Sequence, residues 1–564
     1  MKSKYNPLIF SSLATGVALF ATAPLDAADV DTTGGVTLSA ENRYTGAGTL
    51  TANSGGDLWL GGSGGAPNTE FAMTGGLIDI VSGTTVKNGG WQKGVWTDNK
   101  ATLQVNGALD IFDGNNIFAD ALTGSGTVGI SSGISWVTLN KSITLGVNGG
   151  GGTFTGTVFD SDDDIVSLIK EGSGTQILTG SNTYRGATTI NGGTLKLQGA
   201  AFSTTARAYS IASGAVLNLD GSTGVASGNT TISGTGTLRI SGGALSSGAD
   251  GSDLTLALGS GALIEIQSGA SMVNGGWQNM TWAGNLADMQ VDGMFDLNDG
   301  NAVIIDALTG SGTVTTTNYT DSFSNSRTLT VGQDGGSGTF SGTITQATVH
   351  VTGLTKTGGG TQTLTGTNSY TGNTTVNGGT LIVNGNITSS SLTTVQSGGT
   401  LGGSGAVGSL TVDSGGFLNP GNSPGILSVD GDYIQLGTVN IEITGITAGS
   451  QHDQVNVDRA SGDGAVTLSG SLVAAFSGGT YVNGDLLFIL LNDASDAING
   501  TFSGLAQDAI VTNYGGFDWK ISYTADSTGN TFTGGNDIAL MAVPEPSATL
   551  LGGLGIFALM RRRR

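Results

Sequence analysis

The sequence predicts an all-β protein made of many short strands that stack on one another. Glycine supplies 100 of the 564 residues, whereas charged residues make up only 11 %. Apolar and polar residues alternate in stretches such as residues 103–111, which is the pattern of a half-buried strand. Glycine and Asn-Gly steps punctuate these stretches closely, as tight turns do. These patterns alone fit either an array of sandwiches or barrels or a parallel β-helix.

A long internal repeat sets the spacing of the strands. Residues 89–128 and 275–314 are identical at 23 of 40 positions, at an offset of 186 and without a gap. The same offset relates residues 168–199 to residues 354–385. An insertion would break the stacking of coils, so the absence of gaps predicts that each spacing is structural. At about 20 residues per coil, one repeat would form roughly nine coils.

Composition and charge exclude several classes of protein. Collagen is excluded because the glycines have no three-residue period and proline occurs only seven times. The absence of cysteine excludes disulfide scaffolds and Cys-based metal sites. A hydrophobic content of 37 % with little charge argues against intrinsic disorder. The net charge of −22 predicts that the protein does not bind nucleic acid.

The N-terminus has the layout of a secretory signal peptide. Lys2 and Lys4 precede an apolar stretch at residues 8–23, and small residues follow up to Ala28. This order predicts a signal helix within residues 1–28, with cleavage near Ala27. The partners expected for it are the secretion translocon and signal peptidase, so the protein is expected to be exported.

The C-terminus has the layout of a sorting signal. An apolar run at residues 548–560 is followed by four arginines, which cannot follow it across a bilayer. The tail resembles the PEP-CTERM family of sorting signals. That resemblance implies an exosortase-type processing protease, a C-terminal membrane helix that anchors the chain transiently, and delivery to the cell envelope, outer surface or extracellular matrix. An ordinary membrane anchor is the alternative. The residues assigned to the sorting signal are Val543, Pro544, Glu545, Pro546, Arg561, Arg562, Arg563 and Arg564.

Two segments inside the repeat carry a further resemblance. Residues 170–199 read KEGSGTQILTGSNTYRGATTINGGTLKLQG, and residues 356–385 read KTGGGTQTLTGTNSYTGNTTVNGGTLIVNG. Both resemble the autotransporter-associated β-strand repeat, through positions such as Gly180, Asn182 and Tyr184 in the first copy. This resemblance implies a right-handed parallel β-helix and selects that fold over the sandwich.

The remaining body, residues 392–541, follows a different pattern that begins near Leu418-Asn419-Pro420-Gly421. It is similar to the last stretch of autotransporter passengers and implies a β cap that closes the solenoid, whose end would otherwise expose strand edges. The predicted domains are a signal peptide at 1–28, β-helix repeat units at 29–213 and 214–391, the cap at 392–541, and the sorting tail at 542–564.

One acidic stretch has the spacing of a calcium loop. Asp160, Asp162, Asp164 and Glu171 occupy positions 1, 3, 5 and 12 of that template, but Ile165 stands where glycine is needed. A surface loop of solvated carboxylates is therefore the favoured interpretation, and calcium is only a weak candidate. No cofactor and no other metal site is predicted.

Carboxylates along the repeat suggest the enzyme alternative, an extracellular polysaccharide lyase or hydrolase on a β-helix. Basic residues are scarce nearby, duplication argues against a single active site, and the Asp-Gly steps are typical of turns. No catalytic residue is therefore assigned, and His350 and His452 are interpreted as incidental. The candidate carboxylates are Asp110, Asp113, Asp120, Asp296, Asp299 and Asp306.

Two tryptophan pairs recur at the repeat offset. Their rings could contact glycans by stacking, or they could fill the wider part of the core. The four residues are Trp91, Trp96, Trp277 and Trp282.

Together these features predict an exported, exosortase-sorted structural or adhesive protein of the cell surface or extracellular matrix. Its expected ligands are exopolysaccharide or surface glycans, and it is not expected to be an enzyme. A passenger whose export domain is encoded separately is a third possibility.

Overall fold

The computed structural model describes residues 28–545 except for 33, 62–67, 91–92, 132–137, 162, 200–207, 222–228, 247–252, 276–279, 299–301, 318–325, 348–349, 459–463 and 494–495. These residues form 58 β-strands and no α-helix. The predicted signal helix and the apolar tail segment lie outside the described residues. None of the residues described belongs to a helix that could cross a bilayer.

The first third of the body contains the following strands: β1 (Ala28–Asp31), β2 (Val36–Thr37), β3 (Asn42–Thr45), β4 (Thr49–Ala52), β5 (Asp57–Trp59), β6 (Glu70–Phe71), β7 (Leu77–Ile80), β8 (Thr85–Lys87), β9 (Thr102–Val105), β10 (Ala108–Asp110), β11 (Ile117–Ala119), β12 (Leu122–Thr123), β13 (Thr127–Gly129), β14 (Asn140–Leu145), β15 (Thr153–Phe154), β16 (Thr157–Phe159), β17 (Ile165–Lys170), β18 (Thr175–Leu178), β19 (Thr188–Ile190) and β20 (Thr194–Gln198).

The middle third contains these strands: β21 (Ala208–Ile211), β22 (Val216–Asp220), β23 (Thr230–Gly234), β24 (Thr237–Gly242), β25 (Ala244–Ser246), β26 (Leu254–Leu258), β27 (Leu263–Ile266), β28 (Ser271–Val273), β29 (Met280–Thr281), β30 (Asp288–Val291), β31 (Met294–Asp296), β32 (Val303–Ile304), β33 (Leu308–Thr309), β34 (Thr313–Thr315), β35 (Ser326–Val331), β36 (Gly338–Phe340), β37 (Thr343–Ile344), β38 (Val351–Lys356), β39 (Thr361–Leu364), β40 (Thr374–Val376) and β41 (Gly379–Val383).

The last third contains these strands: β42 (Asn386–Ile387), β43 (Thr393–Val395), β44 (Gly399–Gly403), β45 (Ala406–Val407), β46 (Leu410–Val412), β47 (Phe417–Pro420), β48 (Ile426–Val429), β49 (Tyr433–Gln435), β50 (Thr438–Ile443), β51 (Gln454–Val457), β52 (Val466–Leu468), β53 (Ser471–Phe476), β54 (Leu486–Leu491), β55 (Asn499–Gly500), β56 (Ile510–Tyr514), β57 (Phe517–Ala525) and β58 (Asp537–Pro544).

The strands form nine sheets that line three faces of a solenoid, each face made of three successive sheets. The first face holds β1-β3-β6, then β11-β14-β17-β19-β21-β23-β26-β29, then β32-β35-β38-β40-β43-β46-β49-β52-β55. The second holds β12-β9-β7-β4-β2, then β15-β18-β20-β22-β24-β27-β30-β33, then β36-β39-β41-β44-β47-β50-β53. The third holds β16-β13-β10-β8-β5, then β25-β28-β31-β34-β37, then β42-β45-β48-β51-β54-β58-β57-β56.

Each strand pairs in parallel with the strand one coil away, as a β-solenoid requires. On the second face Leu50, Ile78, Leu103 and Leu122 stand in register, so successive coils take about 19 to 28 residues. Their side chains are fully buried, because alternate residues of each strand point inward. The prediction of an all-β stack of coils is confirmed, and the sandwich alternative does not fit these parallel ladders.

The coils run without a break through the predicted unit boundaries. The sheet containing β21 and β23 spans residue 213, and the sheet containing β40 and β43 spans residue 391. The end of the body differs, because β56, β57 and β58 pair antiparallel and β58 also pairs antiparallel with β54. Three antiparallel strands therefore close the last sheet.

A buried lysine in each repeat satisfies backbone groups at a corner of the coil. The Lys170 ammonium donates to the carbonyl oxygens of Glu171, Gly172 and Gly192. Lys356 makes the same three bonds at its own offset positions. Burial lowers the pKa of both lysines below the ordinary value. These ammonium groups are therefore part of the core.

A column of glycines allows one corner of each coil to approach the corner below. A Cβ added at Gly366 would lie well inside van der Waals contact of the Gly342 carbonyl oxygen. The same holds for Gly180 above Gly156 in the first repeat. Any larger residue would push the coils apart. This steric requirement explains part of the glycine content.

We expect Gly366→Ala to destabilise the protein by about 2 to 3 kcal/mol, because the added methyl group meets backbone atoms that cannot move aside. Gly359→Ala is the matched control, since a Cβ there meets nothing within 4 Å. Urea or thermal unfolding followed by circular dichroism measures both. An equal loss of stability in the two variants would contradict the proposed column.

Candidate functional site

The predicted calcium loop is organised around an arginine. The Asp160 carboxylate accepts hydrogen bonds from the backbone N–H groups of Val166 and Arg185, at 3.1 and 2.7 Å. The Arg185 Nε lies 3.1 Å from Asp160 Oδ1, and the Asp160 side chain is only 1 % exposed. Asp164 has a separate set of partners, the Leu139 N–H and the Ser161 hydroxyl. The positive charge beside Asp160 in this loop is therefore a guanidinium.

The remaining positions of the calcium-loop motif, Asp162 and Glu171, give no described side chain that joins Asp160 and Asp164 around a common point. The Glu171 carboxylate accepts a hydrogen bond from the Asn191 side-chain amide at 2.7 Å. Asp162 lies outside the described residues. Within the described ranges, no group of three or more His, Asp or Glu side chains could hold a metal ion.

The second repeat shows what Asp160 does in the fold. Gln346 stands at the equivalent position, and its Oε1 accepts the N–H groups of Thr352 and Thr371 at 2.8 and 3.0 Å. These donors are the counterparts of Val166 and Arg185 at the repeat offset. A neutral amide thus replaces the carboxylate where threonine replaces the arginine. The shared role is to hold the turn, and the ion pair belongs to the first copy.

The carboxylates considered for catalysis also accept backbone hydrogen bonds. Asp110 accepts from the N–H groups of Phe112 and Ser131, and Asp296 accepts from the equivalent groups of the second repeat. Asp120 and Asp306 each accept two N–H groups from the next coil.

Of the last pair of candidate carboxylates, Asp113 accepts the Gly90 N–H, and Asp299 lies outside the described residues. Through these hydrogen bonds, the described members of this set hold turns in place and join neighbouring coils.

The two histidines are both buried. The ring nitrogens of His452 lie 3.3 and 3.2 Å from the carbonyl oxygens of Gly445 and Phe488, and burial lowers the pKa of the ring. His350 occupies the place of Asp164 in the second repeat and is 3 % exposed. Among the described residues, neither belongs to a group of three or more His, Asp or Glu side chains that could hold a metal ion.

An acidic pocket lies in the C-terminal region between β51, β54 and β58. Its volume is about 720 Å³, and its lining contains Asp458, Asp493, Asp526 and Asp537 but no lysine, arginine or histidine. Asp537 accepts the N–H groups of Asn492 and Ser527. The described lining supplies carboxylates but no basic side chain. A polysaccharide lyase would also need a basic group or a cation, whereas a glycoside hydrolase needs only a pair of carboxylates.

The tryptophans predicted as possible glycan contacts lie inside the solenoid where they are described. Trp96 is 1 % exposed and stacks on Phe71 with ring centroids 3.9 Å apart. Trp282 is equally buried, and its Nε1–H donates to Asn274 Oδ1 at 3.0 Å. A sugar cannot stack on a covered ring, so both indoles fill the core. Trp91 and Trp277 lie outside the described residues.

A different tryptophan is exposed on the third face. Trp59, the last residue of β5, is 41 % exposed and meets the Phe112 ring edge-on at 5.7 Å. The Lys87 ammonium lies 4.8 Å from the centroid of the indole and forms a 2.7 Å ion pair with Asp57. We call Asp57, Trp59, Lys87 and Phe112 the Trp59 patch. It combines an aromatic surface with hydrogen-bonding groups at its edge.

The repeated aromatics of the sequence do not predict the Trp59 patch, because it does not recur. Trp59 pairs with Lys87, and the equivalent pair of the second repeat is Ser246 with Val273, so the patch occurs in the first copy and not in the second. The signal was the alternation in Asp57-Leu58-Trp59-Leu60. Leu58 packs against the core and Leu60 is buried, which forces Trp59 to the other side of the strand.

The chain leaves the solenoid through β58. Val543 and Pro544 still pair with Asp518 and Phe517 of β57. The Glu545 N–H donates to the Gly516 carbonyl oxygen at 3.4 Å. The side chains of Pro544 and Glu545 are exposed. Pro546 and the four arginines of the tail lie outside the described residues.

An aromatic cluster supports this end of the last sheet. Phe476 stacks on Tyr514 with ring centroids 5.0 Å apart and lies 4.8 Å from Trp519, which pairs with Ala542 of β58. Tyr481 meets the Trp519 ring edge-on at 5.0 Å. Trp519, the ladder partner of Ala542, is thus packed against two other rings.

Family models match two parts of the chain, the repeats and the C-terminal tail. Residues 168–197 and 354–383 match the passenger-associated-transport-repeat, and residues 542–564 match the PEP-CTERM protein-sorting motif. The chain carries two passenger repeats and a PEP-CTERM sorting motif. Such motifs indicate an exported cell-surface protein that is processed by an exosortase.

A curated relative is the adhesin BmaC autotransporter of Brucella suis biovar 1 (strain 1330). It is 32 % identical over 170 residues, which cover 28 % of this chain. The chain spans only 4 % of that adhesin's length. The likeness therefore concerns a limited part of each chain.

The two passenger repeats contain the buried polar residues that join the coils. Gln176 accepts the Leu122 N–H and donates to the Leu122 carbonyl oxygen, 54 residues back along the chain. Gln362 makes the same two bonds to Leu308. The side-chain amide acts as an extra peptide group in the ladder. These positions of the repeat serve the fold in both copies.

We expect Arg185→Thr to destabilise the protein by about 1 to 3 kcal/mol, since it leaves the nearly buried Asp160 carboxylate without its cation. The double variant with Asp160→Gln copies the second repeat and should recover most of this loss. A double-mutant cycle of thermal unfolding measures the coupling. If the losses of stability in the two single variants simply add in the double variant, Arg185 and Asp160 are not energetically coupled.

We expect the Asp453 carboxyl, which lies in the cap, to make the stability of the protein depend on pH. Burial raises its pKa to about 6, with Glu442 nearby. The protonated Asp453 carboxyl is favoured in the folded state. Its contribution to the free energy of unfolding is fully present below about pH 4 and is lost as pH rises through about 6. Asp453→Asn should remove this dependence, so the variant gains stability relative to the wild type between pH 4 and 7. Thermal melts across this range measure the difference, and a constant difference would contradict the assignment.

Proposed function

We propose that this exported protein is a structural, adhesive rod of the cell surface or extracellular matrix. It is held by its C-terminal tail until an exosortase-type protease processes it. The observation that carries the adhesive part is the Trp59 patch, an exposed indole held by Lys87 and Phe112 on the third face. The similarity of part of the chain to an adhesin supports the same role.

Glycans are the proposed ligands of the patch. A pyranose ring presents C–H groups that pack on an indole, and its hydroxyl groups can bond to the charges of Asp57 and Lys87. Because the Lys87–Asp57 pair and the Phe112 edge hold Trp59 in place, little side-chain entropy is lost on binding. The net charge of −22 favours a neutral polysaccharide over an acidic one.

A structural role is proposed over a catalytic one. The described candidate carboxylates of the repeats are engaged with backbone N–H groups, which supports their role in the fold. The enzyme alternative, a lyase or hydrolase of polysaccharide, predicts new reducing or unsaturated ends when the protein is incubated with its polysaccharide.

We expect Trp59→Ala to weaken binding to a neutral polysaccharide about tenfold, which corresponds to about 1.4 kcal/mol. Phe417→Ala is the matched control, because this ring is similarly exposed, at 39 %, but lies on the second face away from the patch. A polysaccharide panel with binding and end-group readouts measures both variants. Equal binding by all three proteins would contradict the patch, and product release would contradict the structural role.

A further inference from the structure

The second face ends in a strand whose outer edge carries no further strand. In the described chain β53 pairs with β50 alone, and the two strands are parallel. Ser471 and Ser477 donate their N–H groups to the carbonyl oxygens of Gly437 and Ile443, each at 2.8 Å. Because the backbone groups of a strand alternate between its two edges, the odd-numbered residues of β53 bond to β50.

The even-numbered residues of β53 direct their backbone groups away from β50. Within the described residues, the N–H and carbonyl groups of Leu472, Ala474 and Phe476 have no hydrogen-bond partner. Gly470, just before the strand, shows that this edge can bind a donor, because its carbonyl oxygen accepts the Ser503 N–H at 2.7 Å. The open groups stand two residues apart, which is the spacing that an extended peptide backbone matches.

The side chains along this edge are also incompletely covered. Leu472, Ala474 and Phe476 pack against the core but remain partly exposed. Val439 and Ile441 hold the corresponding places in β50 and are buried, since β53 lies over the next rung. One more strand beyond β53 would therefore cover apolar surface as well as bond to the backbone.

The other strands at the two ends of the solenoid are protected against such pairing. Short strands, charged residues and bulges are the usual means of protection. β2 and β55 have two residues each, β1 contains Asp29 and Asp31, β5 contains Asp57, and β56 has a bulge in its ladder. β53 has six residues, no charge, no proline and an uninterrupted register.

The charge around β53 indicates which kind of strand it would take. The cap, residues 392–541, contains 14 acidic and two basic residues. Glu442 pairs with Ala475 in the ladder, and its side chain is exposed beside the edge. A second copy of the chain would bring the same negative charge, whereas a basic segment would be attracted.

We propose that β53 is a docking edge for an extended segment of another protein, which adds to the second face as its next strand. The segment has apolar residues that cover Leu472, Ala474 and Phe476 and basic residues that complement the acidic cap. This role is additional to the proposed adhesion and does not depend on the Trp59 patch.

Peptide binding to the purified full chain tests the docking edge. The probe is a short fluorescent peptide in which threonine and valine alternate between a lysine at each end, and fluorescence anisotropy measures its dissociation constant. We expect saturable binding that weakens about tenfold when glutamates replace the lysines. A peptide of the same sequence with N-methylated amides has no N–H groups to donate and should not bind. Failure of the lysine peptide to bind, or equal binding of the methylated peptide, would overturn the proposal.

A proline on the edge tests the same hydrogen bonds from the side of the protein. Ala474→Pro removes an N–H that points outward and leaves the ladder to β50 intact, so binding of the lysine peptide should weaken about tenfold. Ala475→Thr is the matched control, because it lies in the same strand, keeps every backbone group and changes a side chain on the solvent side. Circular dichroism melts show whether both variants fold.

Two results with these variants would contradict the docking edge. One is equal binding of the lysine peptide by the wild type and a folded Ala474→Pro. The other is a dimer of the full chain, seen by analytical ultracentrifugation, that Ala474→Pro dissociates, because a second copy would then occupy the edge.

Discussion

The distance between successive coils is the constraint on which the rest of this structure depends. Parallel backbone ladders set that distance, and every turn must then pass close to the turn beneath it. Glycines such as Gly180 and Gly366 stand where a methyl group would strike the carbonyl oxygen one coil below. The gapless offset of the repeats follows from the same geometry, because an extra residue would shift both the ladder and the column of glycines.

The duplication separates what the fold needs from what is particular to one copy. Lys170 and Gln176 have twins that make the same bonds, so their roles are architectural. Asp160 has a twin of different charge that keeps the same two backbone donors. No aromatic residue corresponds to Trp59 in the second repeat. Because the fold does not require an aromatic side chain at this position, Trp59 is a better candidate for a function at the surface.

Much of the architecture was predictable because strand alternation and repeat spacing are local properties of the sequence. The cycle through three faces was not, and neither was the finding that the third face lacks described strands between β16 and β25, since both depend on how coils stack. Candidate carboxylates such as Asp120 accept backbone hydrogen bonds. The sequence could not predict this role, because an Asp-Gly or Asp-Ala step looks the same in a turn and in a catalytic groove. Trp96 was ambiguous because period alone does not tell which side of a coil faces inward.

The position of β58 also decides how the rod carries mechanical load. In the proposed anchored state, a pull on the tail enters the sheet at Pro544, at the end of a strand that is paired on both edges up to Ala542. Where that pull runs along β58, it shears the two ladders, so their hydrogen bonds resist together instead of opening one after another as in peeling. Phe476 packs on Trp519, which pairs with Ala542 of β58. In the proposed adhesive role, β58 would therefore carry the load of the anchored chain as well as close the solenoid.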